Sequence, residues 1–228
     1  MKDYSEILEL LKSKASVKQD VYQNGKEAFA SLRESAEQIT KELADAYSET
    51  DPRVKIKLEP VTENEFRLVL GGDVLIFHMH SNVFQYDKKN FFWKQSYFKE
   101  DQTRAYGIMI MVYNFLTDSL SLDRENDLGY LIGRIFVNRD NHFNLESQLS
   151  LRSKYPHLNK QVFDVENQKN VLECLIVYSM NFELNVPRYE NVQTVTVRQA
   201  QDFRNKIKLK TAKKLGFQFG DPNTSEIE

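Results

Sequence analysis

The 228 residues suffice for one large domain or two small ones, and 41% apolar with 28% charged residues describes a globular chain, not a disordered one. A formal net charge of -2 gives no global bias toward nucleic acid or anionic lipid, and no uncharged apolar run approaches the ~18 residues a membrane span needs. A single cysteine, Cys174, rules out an intrachain disulfide and a cysteine-based zinc site. The N-terminus carries acids and no apolar stretch of the signal-peptide kind, so the chain reads as soluble and cytoplasmic.

Residues 3 to 49 carry a sustained helical period. Tyr4, Leu8, Leu11, Ala15, Lys18, Tyr22, Gly25, Phe29, Leu32, Ala36, Ile39, Leu43 and Ala46 recur at spacings of four and three, the heptad seam of a helix that packs along one stripe. Lys18 and Gly25 break the seam, and Asn24-Gly25 is its strong breaker pair. Two readings stand: a helical hairpin turning near Asn24-Gly25, or one helix of roughly 65–70 Å at 1.5 Å per residue. Asp51-Pro52 ends the segment in both, because the residue before proline avoids the helical region.

From Arg53 the period changes to two. Val54, Ile56 and Leu58 alternate with charges, Glu65 to Leu70 alternates again, and Gly71-Gly72 turns the chain into Asp73 to His80. Phe84-Gln85-Tyr86 and Phe91-Phe92-Trp93 flank the polar stretch Asp87 to Asn90 and read as a hairpin. Ala105 to Phe115 and Leu128 to Asn138 read as central strands, and Asn138 to Asn141 turns into a last strand, His142 to Gln148. Closely spaced turns with no helices between strands argue for an antiparallel meander.

Beyond Pro156 the period lengthens. Asn170 to Leu184 fits either a helix or a strand; its length and the preceding acids Asp164 and Glu166 favour helix. Val197 to Leu215 reads as helix, stopped by Gly216, with a polar tail behind it. The expected architecture is therefore α+β. A helical segment (1–50) precedes an antiparallel sheet of about five to seven strands (53–150), C-terminal helices pack on the sheet (160–216), and a frayed tail closes one integrated domain (217–228).

Four features bear on function. His78-x-His80 places two imidazoles on one strand face, where they could share a metal with His142, His157 or a carboxylate. Lys88, Lys89, Lys94 and Arg104 interleave with Phe91 and Trp93, the pairing of cations and rings that single-strand nucleic-acid binders use. Arg204, Lys206 and Lys210 belong to a basic stretch, Arg198 to Lys214, holding seven cations against one acid. Residues 1 to 50 hold seven cations and ten acids, so the two segments complement each other within one chain or between copies.

The fourth feature is the heptad seam itself. Leu8, Leu11, Phe29, Leu32, Ile39 and Leu43 are the residues through which it would meet a partner helix.

Gly129 and Gly133 lack the lysine and the strand-to-helix context of a phosphate loop and mark close approach of a helix or ring. Asp118, Asp123, Glu125 and Asp127 read as loop solvation. No nucleophile or cofactor motif is present.

The favoured reading is thus a non-catalytic interaction or regulatory protein, without cofactor, that self-associates through its N-terminal helical segment. A nucleic-acid-binding protein is the second reading, and a metal-dependent hydrolase using His78 and His80 the third.

Overall fold

The computed structural model describes residues 4–125, 127–147, 160–182, 186 and 188–198. Beyond Arg198 the expected basic helix, with Arg204, Lys206 and Lys210, lies outside the described residues, as does His157.

The chain opens with one unbroken helical rod: α1 (Ser5–Leu10), a π-helical stretch (Leu11–Ser16) and α2 (Val17–Tyr47). The hairpin alternative is overturned. The helix runs straight through Asn24-Gly25 because Gly25 serves close packing, not chain reversal. A β-carbon built there would lie 2.4 Å from Ile108 Cγ2. Asn24, the other half of the expected breaker pair, donates its side-chain amide to the Arg139 carbonyl at 3.0 Å.

Seven strands follow: β1 (Ile56–Thr62), β2 (Glu65–Leu70), β3 (Asp73–Met79), β4 (Phe84–Gln85), β5 (Tyr106–Leu116), β6 (Tyr130–Asn138) and β7 (Phe143–Ser147). They form one antiparallel sheet in the order β1-β2-β3-β5-β6-β7, with short β4 also paired to β5. Period-two alternation fixes which side chains face α2. Phe66, Leu68 and Leu70 of β2, Phe77 of β3, and Ile108, Ile110 and Val112 of β5 all point into that core. Gly71, at φ 61°, turns β2 into β3, and the turn is clasped by Thr117, which donates from Oγ1 to the Gly71 carbonyl and from its amide to the Gly72 carbonyl.

Phe91-Phe92-Trp93 does not form a strand. Asn90 accepts a hydrogen bond from the Phe92 amide at 3.1 Å and starts a 3-10 turn (Phe91–Lys94), followed by α3 (Ser96–Glu100) and a second 3-10 turn (Gln102–Ala105). A short α4 (Thr117–Ser121) caps β5. The expected helix near residue 170 is present as α5 (Val165–Met180); its N-cap Asp164 accepts from the Asn167 amide at 2.9 Å. A single turn, α6 (Tyr189–Val192), is the last described element.

α2 and α5 lie side by side over one sheet face. Gln168 is buried between them: its amide oxygen accepts from Ser31 and Ser35 of α2 at 3.1 and 2.9 Å, and its nitrogen donates to the Phe163 carbonyl. Gly133 of β6 lets Leu175 of α5 come within 2.8 Å of a would-be β-carbon, and Gly129 meets the Phe115 ring in the same way. These are the helix and the ring expected at the two glycines. No helix among the described residues is long and apolar enough to cross a membrane.

The Gly25 contact makes a signed prediction. In an exposed helix Gly→Ala stabilises by about 1 kcal/mol. Here Gly25→Ala must push β5 and α2 apart, so it should destabilise by about 1–3 kcal/mol. Urea unfolding followed by circular dichroism measures the sign directly; a rise in stability would mean that the helix does not lie this close.

Candidate interaction surfaces

The aromatic and basic segment resolves into a plug on the sheet's second face. Phe92, Phe98, Ala105 and Phe136 are buried together, with Phe84, Tyr86, Trp93 and Tyr97 packed around them. Phe136 lies between Ile135 and Val137 in sequence and so points away from α2. Tyr86 packs 4.3 Å from Phe136 between ring centroids, and Trp93 donates from Nε1 to the Asp87 carbonyl at 3.0 Å. Of the rings expected to stack on bases, Phe91 stands 54% exposed while Trp93 is half-buried under Lys88, whose Nζ lies 5.8 Å from the ring centroid. Lys88, Lys89 and Lys94 are exposed.

Arg104 is engaged by the protein itself. It pairs with Asp140 at 2.9 Å and Glu100 at 3.2 Å, donates to the Tyr97 carbonyl at 2.8 Å, and stacks its guanidinium 4.3 Å from the Tyr97 ring centroid. The His142 ring stacks on the same tyrosine at 5.2 Å. The Tyr97 hydroxyl donates to Asp140 Oδ2 at 3.1 Å and accepts from Asn138 at 3.0 Å. Burial, reinforced by the Asp140 charge, pushes the Tyr97 phenol up to about 12. A phenol held protonated there is a hydrogen-bond donor, not a base. The network ties the 91–105 segment to the β6–β7 turn.

His78 and His80 each have a partner of their own. His78 Nδ1 lies 3.5 Å from Glu65 Oε2, and Glu65 also pairs with Arg67 at 3.2 Å. His80 uses its Nδ1 to accept from the Asn82 amide at 3.0 Å and sets its ring against the Phe84 edge. Among the described residues no three of His, Cys, Asp and Glu come together in a metal-holding group.

The carboxylate loop differs from its expected role. Asp118, Asp123 and Glu125 sit about α4, but the carboxylate of Asp127 is turned inward, accepting from Ser119 at 2.7 Å and lying 3.9 Å from the guanidinium of buried Arg124. The overlooked signal is that a cation, Arg124, stands among these acids in sequence. In β5 the buried Asn114 amide has no hydrogen-bond partner among the described residues.

The heptad seam divides into two halves with different partners. Phe29, Leu32 and Ile39 are buried in the protein's own core, so they are not available to a partner helix; the seam they form is satisfied by the sheet. Leu43, near the end of α2, is partly open.

No residue of Ser5–Ser16 is buried, and Tyr4, Ile7, Leu8, Leu10 and Leu11 are each 45 to 55% exposed. Ile7, Leu10, Leu11, Lys14, Ala15 and Lys18 line one shallow concavity along this overhang. The π-helical stretch between the halves absorbs an extra residue, which turns the overhang's apolar stripe by roughly 100° relative to the α2 seam.

The second face of the sheet is also partly uncovered. Ile76, Met109, Met111 and Tyr113 are half-buried there, between the Glu65–Arg67–His78 group and the ion pair Arg134–Glu146. Comparison with protein-family models, with curated proteins and with solved structures returns no match.

The Tyr97 environment predicts a pH effect. The unfolded chain ionises its tyrosines near 10, while folded Tyr97 stays protonated to about 12. The unfolded state thus loses the proton first, and stability falls as pH rises through this window. The tyrosinate absorbance difference between the native protein and Tyr97→Phe should show this late ionisation, and Asp140→Asn should move it back toward 10.

Proposed function

We propose that the protein is a non-catalytic interaction protein that self-associates through its N-terminal overhang. The observation that carries the reading is the contrast along one helix: Val21, Phe29, Leu32, Ala36 and Ile39 are buried in the core, whereas Tyr4, Ile7, Leu8, Leu10 and Leu11 stand open.

Two physical arguments support it. Fully burying a Leu or Ile contributes about 1.5–3 kcal/mol, and Ile7, Leu8, Leu10 and Leu11 stand 45 to 55% exposed, so each holds roughly half of that driving force unused. The overhang is the end of the rod, where a helix frays unless it is tied down, so a partner laid along the stripe would also hold it in order. The principal polar clusters have structural duties: Arg104, Asp140 and Tyr97 clamp the aromatic plug, and Arg124 pairs with Asp127 beside α4. That supports recognition over chemistry. The aromatic corner offers less to nucleic acid than its sequence promised, since Arg104 is engaged and Trp93 is covered.

Sedimentation equilibrium at tens of micromolar tests the reading. The native chain should show a mass of two copies or more, and Leu8→Asp with Leu11→Asp should return it to one copy without lowering the melting temperature. A native chain of single-copy mass would overturn the proposal.

A further inference from the structure

From the distribution of charge on the overhang we infer that the partner is a second copy of the same helix lying antiparallel, with Leu10 and Leu11 at the two-fold axis; the inference rests on the self-association reading above.

The apolar stripe is not symmetric end to end. Lys14 and Lys18 share its concavity with Ile7, Leu10 and Leu11, so its C-terminal end carries cations on the contact face. The N-terminal half carries Glu6 and Glu9 and no cation from Tyr4 to Leu11. Glu6 precedes Leu10 by one turn and therefore borders the stripe. The helix dipole accounts for an acid in the first turn, but not for lysines in the middle of a rod that continues to Tyr47.

A parallel pair in register would set each Lys14 against its own copy. An antiparallel pair brings Lys14 of one copy to Ile7 of the other, within reach of Glu6. The registry follows from where the body begins: Val17 is the first half-buried residue of the rod, and Lys18 already reaches over the Tyr106 ring at 5.8 Å. The free length is thus 4–17, about 21 Å at 1.5 Å per residue. Two such overhangs overlap fully when Tyr4 meets Val17, Ile7 meets Lys14 and Leu10 meets Leu11. Ala15, small and exposed, then receives the Glu6–Ile7 turn of the copy. Two helices this short bury less than the ~1,200 Å² of a standard interface, which places the contact in the class of weak, transient associations.

Charge exchange in the full-length chain, read by sedimentation equilibrium at low salt, separates the arrangements. Lys14→Glu should weaken the dimer roughly ten-fold, because two attractive contacts become repulsive, and adding Glu6→Lys should restore it. In a parallel pair Lys14→Glu replaces one like-charge contact with another and leaves the affinity unchanged.

Disulfide capture supplies a second readout that does not depend on charge. With Cys174→Ala in the background, mild oxidation of mixed Ile7→Cys and Lys14→Cys chains should link position 7 to position 14. It should not link 7 to 7, which lie about 10 Å apart along the antiparallel axis, beyond the reach of a disulfide. Links from 7 to 7 in a chain of dimeric mass, or an affinity indifferent to Lys14→Glu, would overturn the antiparallel arrangement and leave self-association standing. A native chain of single-copy mass would remove both.

Discussion

The contact between α2 and β5 at Gly25, where the helix backbone meets the Ile108 side chain directly, sets the height of the helix over the sheet. At that height Phe29 reaches Phe66, which stacks in turn on Phe77 at 4.6 Å, and one aromatic column joins helix, second strand and third strand. α5 must then lie level with α2 for Gln168 to receive both Ser31 and Ser35. Leu175 settles onto the notch left by Gly133 at the same level. A buried amide bonded to two hydroxyls on a neighbouring helix fixes register in a way that apolar packing alone does not. The two helices form one lid over the sheet because these small-residue notches and this polar link agree with each other.

Much of this architecture could be read in the residues. The alternation of Phe66, Leu68 and Leu70, and of Leu75, Phe77 and Met79, specified half-buried strands, and Gly71-Gly72 specified the turn between them. Asp164 announced the start of α5. Three features were hidden for a common reason: each depends on what a residue touches across the chain. Asn24-Gly25 looks like a helix stop locally, and only the presence of Ile108 makes glycine a packing residue there. Phe91 to Trp93 has strand-like composition, yet a cap from Asn90 and the Phe136 surface beneath draw it into a helical turn. Asp127 resembles its solvated neighbours until Arg124 and Ser119 are seen to hold it.

The candidate surfaces divide along the same line. The interleaved rings and cations were legible as a cluster, but sequence spacing cannot say whether rings face water or each other. Here most face each other, and Arg104 secures the plug by spanning Tyr97, Glu100 and Asp140. The heptad seam was legible as a stripe seeking a surface. Its inner half finds that surface within the chain, because the sheet offers a complementary apolar face directly below. The outer half extends beyond the sheet, and the same periodicity that builds the core there becomes an invitation to something else.

The π-helical stretch has a consequence for how this sequence can change. Its backbone holds one residue more than an α-helix would over the same turn. Deleting one residue among 11–16 would let the rod close into continuous α-helix, and every side chain on the N-terminal side of the deletion would swing by roughly a quarter turn around the axis. The direction in which the overhang looks is therefore encoded by a residue count, not by residue identity. Insertions and deletions in this short stretch would redirect the surface while leaving the core beneath α2 untouched.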